Sequence, residues 1–160
     1  KTIIYNVYNK VAEAKDFINV SVPFEDKVIK QNIEHLFKRY KKQFNEYLLP
    51  NILENNTKEE EAFKLLERIR KKDISAQFTI DCELLFVEYC KEFILTYGYF
   101  DEDYYITMDE VFESACIKIK TNNLTEEYYD AIEKLISFGN NYGVEFNTTC
   151  EELDIYKTLR

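Results

Sequence analysis

The chain has 160 residues, of which 46% are hydrophobic and 16% aromatic, so it is long and apolar enough for one folded domain over residues 1–160. Its formal net charge of −9 disfavours general nucleic-acid binding, because acidic side chains repel the phosphate backbone. No apolar run approaches the roughly 20 residues of a membrane span, and no signal-peptide pattern is present. We therefore expect a cytoplasmic protein with no membrane partner.

The first half of the chain predicts three helices. Apolar residues at helical spacing predict the first over residues 2–16. Pro23 suits the first position of the second helix, which should end before Pro50 because the residue preceding a proline disfavours the helical conformation. A capping box that begins at Thr57 predicts a third helix, which runs to about Asp73.

The most apolar helix-length segment of the sequence is Ile80–Tyr97. Its apolar residues surround the helix on most sides, which indicates burial by several neighbouring helices. Gly98 is the residue best able to close this helix, because glycine adopts positive φ at little cost. The next helix is predicted over Asp101–Thr121, and Thr107 is a rival starting point because it opens a second capping box.

Two more helices are predicted in the last third of the chain. Asn123–Phe138 begins with a capping box, although Thr125 is a rival cap. Gly139 and Gly143 should then loosen the chain before a short terminal helix, which begins at about Thr149.

These elements predict an all-α protein, a compact bundle of about six helices. The alternative is a short helical-hairpin solenoid. Two predicted hairpins begin about 45 residues apart, a spacing that some helical repeats share.

Catalytic and cofactor signatures are scarce. A single histidine, His35, rules out two-histidine zinc sites and the iron sites that need several histidines. The three glycines form no phosphate-binding loop. The four cysteines form no CxxC pair and are expected to be buried free thiols: Cys82, Cys90, Cys116 and Cys150. We predict no catalytic residues, no cofactor and no metal site, which leaves enzyme activity uncertain but disfavoured.

Three carboxylates of the central helix are the best candidates for a buried acidic pair: Glu83, Glu88 and Glu92. Paired carboxylates can perform acid–base chemistry, but no nucleophile or cofactor-binding residue accompanies these. We interpret them as a stripe on the surface of the helix.

The segment YGYFDEDYYITM, which runs from Tyr97 to Met108, is followed by VFESACIKI and preceded by the apolar helix. It resembles a bacterial family of small all-helical proteins catalogued only as a domain of unknown function. Weaker similarities lie in VYNKVAEAKDFI near the start of the chain and in NYGVEF near its end. The resemblance implies an all-helical fold and implies no activity.

Aromatic and acidic residues alternate at the corner after the central helix. In one interpretation they form a protein-binding surface, where aromatic rings provide contact area and charges set the orientation. In the other, which we prefer, the rings plug the end of the bundle. The candidate interaction residues are Tyr97, Tyr99, Phe100, Asp101, Glu102, Asp103, Tyr104 and Tyr105.

Charge is distributed unevenly along the chain. Residues 1–75 carry a net charge of +3 and residues 76–160 carry −12. Two basic clusters in the first half can attract phosphate groups if they lie on one face, although a solvated helix surface explains them as well. The candidate residues of this basic patch are Lys38, Arg39, Lys41, Lys42, Arg68, Arg70, Lys71 and Lys72.

Three functions therefore remain open. The first is a protein-interaction or regulatory module without catalysis, which binds a protein partner or a second copy of itself. The second is a nucleic-acid-associated protein that uses the two basic clusters. The third is a carboxylate-based metal protein or enzyme.

Overall fold

The computed structural model describes residues 23–49, 58–98 and 102–155. These residues contain six helices and no strand, which confirms the all-α fold class. The predicted helix over residues 2–16 lies outside the described residues. The helices are α1 (Pro23–Leu48), α2 (Glu59–Arg70), α3 (Ala76–Tyr97), α4 (Glu102–Thr121), α5 (Thr125–Tyr142) and α6 (Phe146–Glu152).

The chain divides into two compact units, Lys1–Tyr40 and Lys41–Arg160, and the boundary falls within α1. The described part of the first unit is the helical stretch from Pro23 to Tyr40. In the second unit α3 and α4 pack along each other as a hairpin, α2 packs on α3, and α5 and α6 pack on α4. The long apolar helix predicted to be buried by several neighbours is thus part of a helical bundle.

The first two helices begin close to where the sequence predicts. α1 begins at Pro23 and ends at Leu48, before Pro50. α2 begins at Glu59, and three glutamates in its first turn interact favourably with the helix dipole. Thr57, the predicted cap of α2, lies outside the described residues.

The central helix α3 begins at Ala76, four residues before the apolar segment that indicates it. Ser75 caps it, because its Oγ atom accepts a hydrogen bond of 3.1 Å from the backbone N–H of Phe78. At the other end Gly98 has φ of 86°, and its N–H donates to the carbonyl oxygen of Ile94 at 2.8 Å. The prediction that this glycine closes the helix with positive φ is confirmed.

Three predicted details of the last helices are wrong. α4 runs from Glu102 to Thr121, which agrees with the placement over Asp101–Thr121, and it continues through Thr107, so the rival start there is wrong. Asn123 does not cap α5, because it has φ of 57° and the helix begins at Thr125 without a side-chain cap. α6 begins at Phe146, three residues before Thr149.

Gly139 also departs from its predicted role. It does not loosen the chain but lies inside α5, which continues to Tyr142. A Cβ atom at this position would lie 2.7 Å from the carbonyl oxygen of Val144 and 3.1 Å from Cδ2 of Phe146. Glycine is therefore required because the chain after α5 turns back and packs directly against it. Gly143 makes that turn, with φ of 74°.

Large side chains fill the interior of the second unit. The ring of Phe86 on α3 meets that of Phe44 edge to face, with centroids 5.9 Å apart. Phe112 on α4 packs against Phe146 on α6, with centroids 4.2 Å apart. The four cysteines are free and buried, as predicted. No described helix combines the length and the apolar character needed to cross a membrane.

Candidate functional site

Three exposed apolar residues lie at the end of the α3–α4 hairpin where α3 finishes and α4 begins. Leu95 is 49% exposed and Tyr97 41% exposed, both in the last turn of α3. Ile106, near the start of α4, is 49% exposed. We call this region, residues 92–98 and 102–106, the hairpin end. Large apolar side chains that remain this accessible are available to contact another molecule.

A row of aromatic rings supports the hairpin end from inside. Phe93 lies 4.9 Å from Tyr97 and 5.5 Å from Tyr104, measured between ring centroids. Tyr105 meets Tyr104 edge to face at 6.5 Å. Tyr104 is 1% exposed, and burial raises the pKa of its hydroxyl, which interacts with the Cys90 thiol. The ring of Tyr104 thus fills the interior at this end of the bundle, whereas Tyr97 reaches solvent.

Carboxylates lie within about one helical turn of the exposed apolar residues. Glu92 is three residues before Leu95, and Glu102 and Asp103 are in the turn before Ile106. Glu92, Glu102 and Asp103 are all exposed. Among the described residues, none of the three forms an ion pair. Lys91, the nearest lysine in sequence, is paired with Glu88.

The structure separates the predicted interaction residues into groups. Tyr97, Glu102 and Asp103 are exposed, Tyr105 is half-buried, and Tyr104 is buried. The remaining candidates, Tyr99, Phe100 and Asp101, lie outside the described residues. Sequence reasoning missed Leu95 and Ile106. The sequence carries no signal for the exposure of Leu95 and Ile106, because that exposure depends on which side of each helix the neighbouring helices leave uncovered.

The basic clusters are mostly exposed. In the first unit, Lys38 and Arg39 are exposed on α1. In the second unit, the exposed members are Lys41, Lys42, Arg68, Lys71 and Lys72. Arg70 is the exception, because it is half-buried and bound to glutamates within the bundle. Arg70, which the sequence predicts as part of a basic patch, is therefore already engaged within the bundle.

Arg70 takes part in a charged network around Glu83, which is completely buried on α3. The Oε1 atom of Glu83 accepts hydrogen bonds from Nε of Arg70 at 2.7 Å and from Oγ of Ser114 at 2.9 Å. Nζ of Lys118 lies 2.8 Å from Oε1 and 3.1 Å from Oε2. Arg70 also donates to Glu67 at 2.7 Å. One carboxylate thereby joins side chains of α2, α3 and α4.

The interpretation of Glu83 as part of a surface stripe is therefore wrong. Glu83 is spaced by three or four residues from Ile80 and Val87, which are both completely buried, so it belongs to the apolar face of α3. That spacing was the available sequence signal. A completely buried carboxylate that is bonded to Arg70, Ser114 and Lys118 is not accessible to a substrate, so we assign the network to stability.

A second polar group is less well satisfied. The Oδ1 atom of Asp109 on α4 is buried and has no hydrogen-bond partner among the described residues. Burial raises the pKa of this carboxyl group, and the negative charges of Glu113, Glu145 and Glu110 raise it further. The ionised form of Asp109 is therefore costly in the folded protein.

Two thiols pack together nearby in the bundle. Cys116 on α4 and Cys150 on α6 form a hydrogen bond, and that contact together with burial raises the pKa of Cys116. Both side chains are completely buried. Thiols in this environment are inert, because the reactive thiolate is disfavoured. Within the described ranges, no three His, Cys, Asp or Glu side chains are placed to hold a metal ion.

Comparisons with protein-family models, curated proteins and solved structures found no significant match for this chain. The resemblance to a bacterial helical family thus stays a prediction. The geometry of the chain itself is the basis for a functional proposal.

Proposed function

We propose that this chain is a protein-interaction or regulatory module without catalysis, and that the hairpin end is its contact surface. The observation that carries the proposal is the exposure of Leu95, Tyr97 and Ile106 at one end of a hairpin whose other large residues are mostly buried. Fully burying one such side chain contributes roughly 1.5–3 kcal/mol, so partial burial of three provides a useful share of a binding energy.

The hairpin end is also well supported. Tyr97 rests on Phe93, which rests in turn on the buried ring of Tyr104. A contact residue held by packed neighbours loses little conformational entropy on binding, which favours affinity. Aromatic residues backed in this way are typical of the residues that dominate binding energy at protein interfaces.

A capture experiment tests this proposal. The tagged chain and the double variant Leu95→Ser/Ile106→Ser are compared as baits in native lysate, after circular dichroism shows that both are folded. The control is Ile117→Ser. Ile117 lies on α4, as Ile106 does, and it is 44% exposed but lies away from the hairpin end. We expect a partner that the parent and the control retain and the double variant loses.

Two results contradict the proposal. One is a partner captured equally by all three baits, and the other is the absence of any stoichiometric partner. Sedimentation of the purified chain at several concentrations establishes in parallel whether the partner is a second copy of the chain. Self-association that the double variant abolishes also supports the hairpin end as a contact surface.

A further inference from the structure

We infer that the segment bound by the hairpin end belongs to another protein and carries Lys or Arg side chains around large apolar residues. This inference rests on the proposed function and specifies the chemistry of the partner.

The charge around the hairpin end is strongly one-sided. Residues 88–110 contain seven carboxylate side chains and one lysine. That lysine, Lys91, is already paired with Glu88 and is mostly buried, with 16% of its side chain exposed. The exposed carboxylates of Glu92, Glu102 and Asp103 are thus without a cation among the described residues. Among the described residues, negative charge beside the exposed apolar residues is therefore not compensated by a cation.

This charge selects among partners. A neutral or acidic segment that covered Leu95 and Ile106 would bring the nearby carboxylates into a less polar environment without a counter-charge, which is unfavourable. Lys or Arg side chains at the edge of the contact would provide that counter-charge and would accelerate the encounter at low salt. Complementary charges thus determine specificity, while the apolar residues contribute much of the affinity.

The apolar residues exclude a purely electrostatic ligand. A polyamine or a simple lysine-rich chain makes no use of Leu95 or Ile106, although each is 49% exposed. Basic segments that carry apolar anchors satisfy both features, in the manner of amphipathic segments that bind apolar grooves. A second copy of the chain is the competing occupant, and the experiment below includes it.

Three short synthetic peptides serve as probes. The first has Leu on one face of a helix and Lys on the other, the second replaces every Lys by Glu, and the third replaces every Leu by Ser. Fluorescence anisotropy measures their binding to the full chain at about 0.05 M and about 0.3 M salt, between which screening increases substantially. We expect the Leu/Lys peptide to bind at least about tenfold tighter than the other two and to weaken at high salt.

Variants then locate the binding. Leu95→Ser/Ile106→Ser and Glu102→Lys/Asp103→Lys should each weaken the Leu/Lys peptide at least about tenfold. The matched controls are Ile117→Ser and the double variant Asp130→Lys/Glu133→Lys. The latter makes the same change in net charge at exposed positions of α5. Both controls should bind the peptide like the parent.

Four results overturn the inference. They are equal binding of the Glu-containing peptide, no loss of binding in the hairpin-end variants, an equal loss in the controls, and a self-associated chain that does not bind the Leu/Lys peptide. The proposed function fails separately. If capture from lysate depends on Leu95 and Ile106 while the Leu/Lys peptide does not bind, the interaction role stands and the basic partner is excluded.

Discussion

Nζ of Lys118 lies 2.8 Å and 3.1 Å from the two carboxylate oxygens of Glu83. The glutamate is completely buried, whereas 32% of the lysine side chain is exposed. Lys118 therefore extends from the surface of α4 to neutralise a carboxylate in the interior of the bundle. Arg70 does the same from α2, so Glu83 is paired with two cations, and removing Glu83 takes a carboxylate partner from both of them.

We predict that Glu83→Ala lowers the free energy of unfolding by about 3 kcal/mol, near the lower end for a broken buried ion pair, because both cations can turn toward water. Glu83→Gln should cost less, because an amide keeps the packing and one acceptor oxygen. Urea denaturation measures both. The control is Glu92→Gln on the exposed side of the same helix, which should change the stability by less than about 0.5 kcal/mol. Equal effects of Glu83→Gln and Glu92→Gln would show that the network contributes nothing.

Asp109→Asn is expected to stabilise the protein at pH 7. The folded state raises the pKa of Asp109, so above that pKa the ionised carboxylate destabilises the folded protein, and the variant avoids that cost. A gain of roughly 0.5 kcal/mol or more is typical of such charge removals.

The gain should depend on pH in a defined direction. It persists above the folded-state pKa, decreases as the pH falls through it, and vanishes below the unfolded value of about 3.9. Thermal melts of parent and variant across this range measure the difference. The control is Asp130→Asn, at an exposed position of α5, and it should behave like the parent. A gain that grows toward low pH would contradict a raised pKa of Asp109 in the folded protein.

Gly139 inside α5 and Gly143 at the turn after it should respond differently to substitution. Gly139→Asn is expected to cost about 1–3 kcal/mol, because any Cβ atom there overlaps the backbone of Val144. Gly143→Asn should be tolerated better, because its surroundings are open and asparagine adopts positive φ more readily than other residues. Denaturation midpoints of the two variants test this order. Equal destabilisation would mean that backbone conformation and not crowding determines both sites.

The row of rings at the hairpin end should combine structural and contact residues. Tyr104→Ala is expected to destabilise the protein by roughly 3–5 kcal/mol, because it leaves a cavity at a fully buried position. Tyr97→Ala should cost much less, because 41% of Tyr97 is already exposed. Chemical denaturation separates the two variants. A Tyr97→Ala variant as unstable as Tyr104→Ala would place both residues in the core.

Several helix boundaries show why the sequence alone was insufficient. Ser75 caps α3 five residues before the apolar segment begins at Ile80, so the apolar pattern does not mark the start of the helix. Asn123 fits a capping box, but it takes positive φ in the turn between α4 and α5. α5 then begins at Thr125 without a side-chain cap. Short cap motifs compete with several others nearby, and packing of the helices selects among them.

The all-α fold class and the burial of the cysteines could be predicted from local information. Helical spacing of apolar residues and the scarcity of glycine, proline and strand patterns are properties of the sequence itself. Closure of the central helix at Gly98 was predictable for the same reason, because positive φ is an intrinsic preference of glycine.

Only the tertiary structure determines which polar residue is buried and which apolar residues are exposed. Glu83 is buried because two cations from other helices meet it there, whereas Leu95 and Ile106 are exposed because no described neighbour covers them. Residues from α2, α3 and α4 must come together before these environments exist. The sequence alone determines the helices, and their packing determines where charge is neutralised and which apolar residues remain available to a partner.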